Sequence, residues 1–299
     1  MEKIEKIKGL LYAIISSATF GFIPFFSIPL LNTGVELDSV CFYRFFFSTV
    51  MMGTYMSLKK MSLKLTRKEF ISVFVISAFY AATSIFLTGS YQYIPSGIST
   101  TIHFLYPVLV ASFMILFFKE KLSFAKAAAI LMAIAGVFFL CGGFSGLTSG
   151  SSMNITGLTL VLVTVVTYAT YIVGVNKIPL LMNMNGMKMT FYVLACSALF
   201  FLCNILIKGG NFSPLETGSQ WWHAIGLAFF ATLISDLTLI YAIQLIGSTT
   251  TAILGCMEPL TAVAMGFIAF GERLDTGQGI GMAMVFVAVY LVILSQRKA

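Results

Sequence analysis

Residues 92–122 read QYIPSGISTTIHFLYPVLVASFMILFFKEKL, and residues 244–274 read QLIGSTTTAILGCMEPLTAVAMGFIAFGERL. Laid over one another at a shift of 152 residues with no gap, Gln92, Ile94, Ser96, Pro107, Phe118, Glu120 and Leu122 fall on Gln244, Ile246, Ser248, Pro259, Phe270, Glu272 and Leu274. The register continues with Met132 over Met284 and Val137 over Val289. Each segment is an apolar run with a proline near its middle. A proline inside a helix removes a backbone donor and breaks or kinks the run. Earlier in the chain the repeat is looser. Ile28-Pro29-Leu30-Leu31 returns as Ile178-Pro179-Leu180-Leu181, and Gly9-Leu10 as Gly157-Leu158. The chain therefore reads as two related halves, 1–150 and 151–299.

Composition puts both halves in a membrane. Hydrophobic residues make up 59% and charged residues 10%, where an ordinary soluble domain has about 25% charged. Ten candidate spans lie near 9–31, 38–58, 70–92, 95–118, 124–143, 155–176, 186–207, 221–243, 247–270 and 276–295. Each approaches the roughly 20 residues that cross the hydrocarbon. The basic N-terminus before the first run could mimic a signal peptide, but the run is long and Ser16-Ser17-Ala18 makes a weak cleavage site, so it reads as a retained first helix.

Lysine and arginine set the direction. With the N-terminus inside, fifteen of them lie in cytoplasmic segments and two, Lys208 and Arg273, outside, with Arg44 left within a span. That bias accounts for the net charge of +7 and leaves no call for a nucleic-acid partner. Five spans per half is an odd number, so the second half enters the membrane in the opposite direction. The expected fold is an all-α membrane protein of ten transmembrane helices, as two inverted five-helix repeats with both termini cytoplasmic. Cys41, Cys141, Cys196, Cys203 and Cys256 sit in apolar runs without CxxC spacing and read as packing thiols.

Pro107 with Glu120-Lys121-Leu122, Glu258-Pro259 with Gly271-Glu272-Arg273-Leu274, and Tyr241 in the eighth span together resemble the EamA-type branch of the drug/metabolite transporter superfamily. The likeness runs from about Lys8 to Ser295. It implies a secondary transporter, and its motifs do not specify a substrate. Members of that superfamily export amino acids and other metabolites, and relatives move nucleotide sugars and triose phosphates. No basic cluster suited to phosphate lies at mid-span here.

The candidate site residues are the polar ones at mid-span. Glu258 adjoins the helix-breaking Pro259. A carboxylate in hydrocarbon costs several kcal/mol, so it faces a cavity, is paired or is protonated. It reads equally as a substrate or proton site and as a cap for backbone groups that the proline frees. Ser99, His103 and Tyr106 share one helical face, and the repeat shift sets Thr251, Gly255 and Glu258 on the equivalent face of the ninth span. The two faces should oppose each other. A lone histidine on an apolar helix is more often a packing residue than a ligand group. Asp236, with Thr232 one turn before it, repeats Ser84 and Tyr80 and reads as a helix–helix hydrogen bond or a backbone contact. Ser16, Thr19 and Phe20 match Thr164, Thr167 and Tyr168 at a shift of 148. Membrane hydroxyls commonly bond back to their own helix. Arg44 is expected to snorkel outward or to pair with Glu36 or Asp38, with direct contact to a substrate as the lesser alternative.

The expected substrate-binding set is therefore His103, Glu258, Ser99, Tyr106, Thr251, Tyr80, Thr19, Thr167, Tyr168 and Asp236, with no metal and no cofactor. No HExxH, Walker lysine loop or GxSxG occurs. The reading is a multi-pass transporter of the cytoplasmic (inner) membrane, exporting amino acids or similar small metabolites by alternating access around a central cavity. Its partners are a small-molecule substrate and the lipid bilayer, and it would act as a monomer, or as a dimer through the Gly/Ala-rich fifth and tenth spans. The rival is a non-transporting membrane protein, such as an intramembrane enzyme using His103 with Glu258, or an accessory subunit.

Overall fold

The structure is a computed structural model and describes residues 2–94, 96–119, 124–140, 154–209, 212–270 and 276–297. All regular structure among them is helical. The first half holds α1 (Glu2–Phe20), α2 (Ile23–Asn32), α3 (Leu37–Leu58), α4 (Arg67–Ser90), α5 (Ser96–His103), α6 (Tyr106–Phe118) and α7 (Phe124–Leu140). The second holds α8 (Ile155–Lys177), α9 (Pro179–Met182), α10 (Gly186–Ile207), α11 (Gly218–Ala228), α12 (Ser235–Ile246), α13 (Ser248–Leu254), α14 (Met257–Phe270) and α15 (Thr276–Arg297). A π-turn, Phe229–Ile234, joins α11 to α12. Among the described residues, five stretches are long and apolar enough to cross a membrane: Ile4–Asn32, Arg67–Ser90, Ile155–Lys177, Gly186–Ile207 and Gly218–Ile246. Shorter apolar helices lie at Tyr106–Phe118, Ala127–Gly136 and Gly279–Ala288. The turns at 120–122 and 271–274, and the junction between the halves, fall outside the described residues.

The helix starts follow from side-chain chemistry. Thr66 and Glu69 form a capping box at α4, and Thr217 and Gln220 form another at α11. Each box satisfies backbone donors that the first turn leaves open. The two boxes are repeat mates, a correspondence that the apolar register does not reveal. The prolines act as expected. α5 ends at His103 and α6 begins at Tyr106-Pro107, while α13 ends at Leu254 and α14 begins at Met257, two residues before Pro259. Pro107 and Pro259 cannot donate to the carbonyls of His103 and Gly255 four residues back.

Packing respects exchange of the halves. α1 packs on α12 as α4 packs on α8, and α6 on α8 as α14 on α1. α3 packs on α10, and α7 on α15, each helix against its own counterpart. This is the pattern of a two-fold relation between repeats. Gly281 and Ala288 are buried in α15, whose main neighbour is α7. The small face that sequence offered for dimerisation is thus used within the chain.

Polarity is distributed inside out. Leu11, Ile15, Phe46, Val50, Phe74, Leu116, Leu131, Leu199, Ile225 and Phe286 are exposed, while Arg44, Ser84, His103, Thr164, Asp236 and Glu258 are buried. A soluble monomer rarely exposes so much large apolar surface, whereas lipid welcomes it.

Candidate functional site

The buried polar groups converge where broken and distorted helices meet. The break between α1 and α2, at Gly21-Phe22, carries Phe20 into the centre. The α5–α6 break carries His103 and Tyr106, and the α13–α14 break carries Glu258. Tyr168 lies at the middle of this group. Its ring centroid is 5.1 Å from His103, 4.7 Å edge-on from Tyr106 and 5.8 Å stacked from Phe20. Phe20 and Tyr168 are repeat mates, so their stack lies where the two-fold relation brings the halves together. A Cβ built on Gly255 would fall on the Tyr106 hydroxyl, so the faces of the fourth and ninth spans do meet.

His103 donates or accepts through Nδ1 at 2.8 Å from Thr164 Oγ1. The Thr164 hydroxyl donates its proton to the Val161 carbonyl at 2.6 Å. That leaves Nδ1 as the donor and Nε2 as a bare acceptor. Nε2 is buried without a hydrogen-bond partner among the described residues.

Arg44 corrects the expectation made for it. It neither snorkels outward nor pairs with an acid of its own loop. It is 2% exposed and spans the two halves. Nε donates to Thr232 Oγ1 at 2.7 Å and Nη1 to Ser84 Oγ at 3.1 Å, with Tyr80 Oη and the Ala231 carbonyl at 3.4 and 3.5 Å from Nη2. The π-turn is the physical reason. It tilts the Ala231 carbonyl and the Thr232 side chain toward α3, and Thr232 itself bonds the Leu227 carbonyl five residues back. Such single π-turns recur at functional sites. Asp38 is engaged elsewhere, by Lys208 at 2.7 Å and Asn204 at 2.8 Å. Glu36 precedes α3, and its backbone N–H donates to Ser213 Oγ.

Asp236 follows Thr232 by one turn, on the same face. The Tyr80 hydroxyl acts on it, yet neither carboxyl oxygen has a hydrogen bond of ordinary geometry among the described residues. Tyr80, reaching it from α4, is the helix–helix neighbour that sequence favoured, in a looser geometry than an ordinary hydrogen bond. Tyr80 stacks on Tyr171 at 4.8 Å, and the Tyr171 hydroxyl is likewise buried without a partner among the described residues. Sequence reasoning passed over Tyr171, although its place one turn after Tyr168 was the available signal.

The hydroxyls of the expected set divide. Ser99 accepts from Ser90 Oγ at 3.0 Å inside the core. Thr251 is buried but bonds back to the Gly247 carbonyl at 2.7 Å. Thr19, half-buried, bonds back to Ile15 and Ser16. Thr167, also half-buried, bonds Thr83 at 2.7 Å. The structure thus gathers His103, Tyr106, Tyr168, Tyr80, Asp236 and Glu258 in the core, while Thr19 and Thr167 lie at its half-buried edge.

Known proteins share this architecture. A protein of Bacillus subtilis (strain 168) described as an uncharacterized transporter is 22% identical over 296 residues, covering 98% of this chain and 92% of its own. A protein of Archaeoglobus fulgidus described in the same words is 24% identical and covers 89% of this chain and 90% of its own. A solved crystal structure superposes with a TM-score of 0.78 at 16% identity, over 98% of this chain and 100% of that one, which speaks to fold alone. The model of the EamA-like transporter family matches twice, at residues 7–142 and 155–294. One match in each half is what an internal repeat requires, and the chain belongs to the EamA-like transporter family as a multi-pass membrane protein.

Proposed function

We propose that this protein is a secondary transporter of the cytoplasmic membrane that exports amino acids or similar small metabolites by alternating access, with the central cluster as its binding site. One observation carries the reading. The buried polar groups His103 Nε2, Tyr171 Oη and both Asp236 oxygens lack hydrogen-bond partners among the described residues. Buried polar atoms are otherwise satisfied, so a cluster of open ones between two repeats is a site that a ligand would complete. Broken helices at the repeat interface are where such sites are built. Phe20 fills the centre in this conformation and must swing aside for a ligand to enter. The two halves are the repeats 1–150 and 151–299, each of five spans, and the working unit is a monomer or a homodimer.

Purified protein in liposomes tests this. Flux of radiolabelled solute without chemical change is the expected result. Product formation without flux would establish the rival intramembrane enzyme. In the same assay, His103→Ala should alter solute selectivity at near-normal protein yield, because it removes the open acceptor. Lost yield with unchanged selectivity would return His103 to a packing role.

Glu258 is proposed as the coupling carboxyl. Glu258→Gln should remove the response to an imposed pH gradient and keep solute exchange. Equal wild-type rates with and without the gradient would end that assignment.

Topology follows from the charge bias: ten spans with both termini, Lys64 and its loop cytoplasmic, and Gly150 external. In intact cells, an impermeant thiol reagent should label a cysteine placed at Gly150 and not one at Lys64. The reverse pattern would overturn the orientation.

A further inference from the structure

We propose that the connection between α3 and α4, together with the start of α10, is a binding surface for anionic phospholipid, whose headgroup phosphate it engages through Lys59, Lys60, Lys64, Arg67, Lys68 and Lys188. The charge bias puts this face in the cytoplasm. The proposal concerns lipid at the rim of the molecule and is independent of what the central site carries.

The six cations share one small surface. Lys59 ends α3, and Thr66 opens α4 with its capping box. The Tyr192 hydroxyl of α10 donates to the Leu63 carbonyl and holds the connection over that helix. Lys188 lies one turn before Tyr192 on α10 and acts electrostatically on Glu69. The other five are exposed, and none of them forms an ion pair among the described residues. Glu69 is the one acid of residues 59–69. Its Oε2 is already taken, by the Thr66 N–H and hydroxyl at 2.7 and 2.8 Å.

The counterpart connection in the other repeat, between α10 and α11, isolates the charge. Lys59 and Lys60 correspond to Lys208 and Gly209 at a shift of 149. Lys64, Arg67 and Lys68 correspond to Leu215, Gly218 and Ser219 at the shift of 151 that relates the two capping boxes. The apolar flank is the same in both. Leu58 and Phe70 are 79% and 45% exposed, and their counterparts Ile207 and Trp221 are 85% and 45% exposed. Only the cations differ, and the one that both connections share, Lys208, is closed by Asp38 at 2.7 Å.

Orientation of the chain would be served by lysines anywhere in the connection. Three of these cations stand where the backbone disfavours them. Lys60 holds a left-handed φ of 53°, whereas its counterpart Gly209, at φ 98°, has no side chain to strain. Arg67 and Lys68 open α4, where the helix macrodipole favours negative charge. Local preferences set aside together in one place mark a function. The field they build is one that holds an anion, and the exposed Leu58 and Phe70 beside it offer acyl chains an apolar wall. A phospholipid with a negative headgroup presents both chemistries side by side.

The test is a binding measurement. Delipidated protein in detergent is titrated with dioleoylphosphatidylglycerol and, separately, with dioleoylphosphatidylcholine, and bound lipid is counted by native mass spectrometry. The acyl chains are identical, so a difference reports the headgroup. Phosphatidylglycerol should bind at least about 25-fold more tightly, the effect of two cations at about fivefold each, and the difference should fade in high salt. Lys60→Gly/Lys64→Gln should remove a factor of that size. Lys3→Gln/Lys8→Gln, which takes the same charge from the N-terminus, should leave it in place. Lys60→Gly relieves a strained residue and Lys64 is exposed, so the variant is expected to fold; should it not, Lys64→Gln/Lys68→Gln makes the same comparison. Equal binding of the two lipids, equal loss in both paired variants, or displacement of the lipid by inorganic phosphate at the same concentration would overturn the proposal.

Discussion

Arg44→Gln is expected to destabilise the folded protein by about 1.5–3 kcal/mol, the range for hydrogen bonds to charged groups. The loss has two parts. Thr232 Oγ1 and Ser84 Oγ each lose a charged donor, and the carboxyls of Asp236 and Glu258 lose a cation that acts on both. Removing the stranded acid should therefore restore much of the loss. The double variant Arg44→Gln/Asp236→Asn should be more stable than Arg44→Gln alone, with a coupling of about 1 kcal/mol or more. Unfolding in mixed detergent micelles for the wild type, both single variants and the double variant measures the cycle. A double variant no more stable than Arg44→Gln would show that Arg44 does not compensate Asp236.

Gly21→Ala should damage the protein nearly as much, for a steric reason. Gly21 lies at the break between α1 and α2, directly against α14. A Cβ there would overlap the Glu258 carbonyl oxygen and come within 2.7 Å of Thr261 Cβ. The obstacle is helix backbone, which cannot rotate away as a side chain can. Overpacking of this kind costs about 1–3 kcal/mol, and here it also pushes Glu258 away from the first span. Gly279→Ala is the internal control, because a Cβ at Gly279 meets nothing within 4 Å. In the first turn of α15 it should stabilise by at most about 0.5–1 kcal/mol. Thermal unfolding of the two variants should move in opposite directions. An unchanged midpoint for Gly21→Ala would mean that α1 and α14 are not in contact in the protein as purified.

Some of the site is legible in the sequence alone. His103, Tyr106 and Glu258 were found because proline leaves a mark in sequence that needs no neighbour to interpret. Pro107 and Pro259 break their helices through their own covalent structure. The repeat shift then placed the two broken faces opposite each other. Arg44 was misplaced for the converse reason. Snorkelling and loop pairing are local solutions to a charge in a span, and sequence displays only local options. The π-turn that offers Arg44 its acceptors comes from a different repeat, 187 and 188 residues away. Asp236 was expected to bond across helices, since a buried carboxylate usually does. Its neighbour across the helices is Tyr80, in a loose geometry that is a property of what surrounds them.

Hydropathy and covalent chemistry act along the chain, so sequence by itself determined the apolar helices, their proline breaks, the two-fold repetition and the family to which they point. The assignment of partners is a different matter. Whether α1 packs on α12, whether Tyr80 stands between Arg44 and Asp236, and whether Phe20 occupies the centre depend on distances between segments far apart in sequence. Those distances are set jointly by close packing and by the need to satisfy buried charge. No residue carries that information alone, and only the tertiary structure decided it.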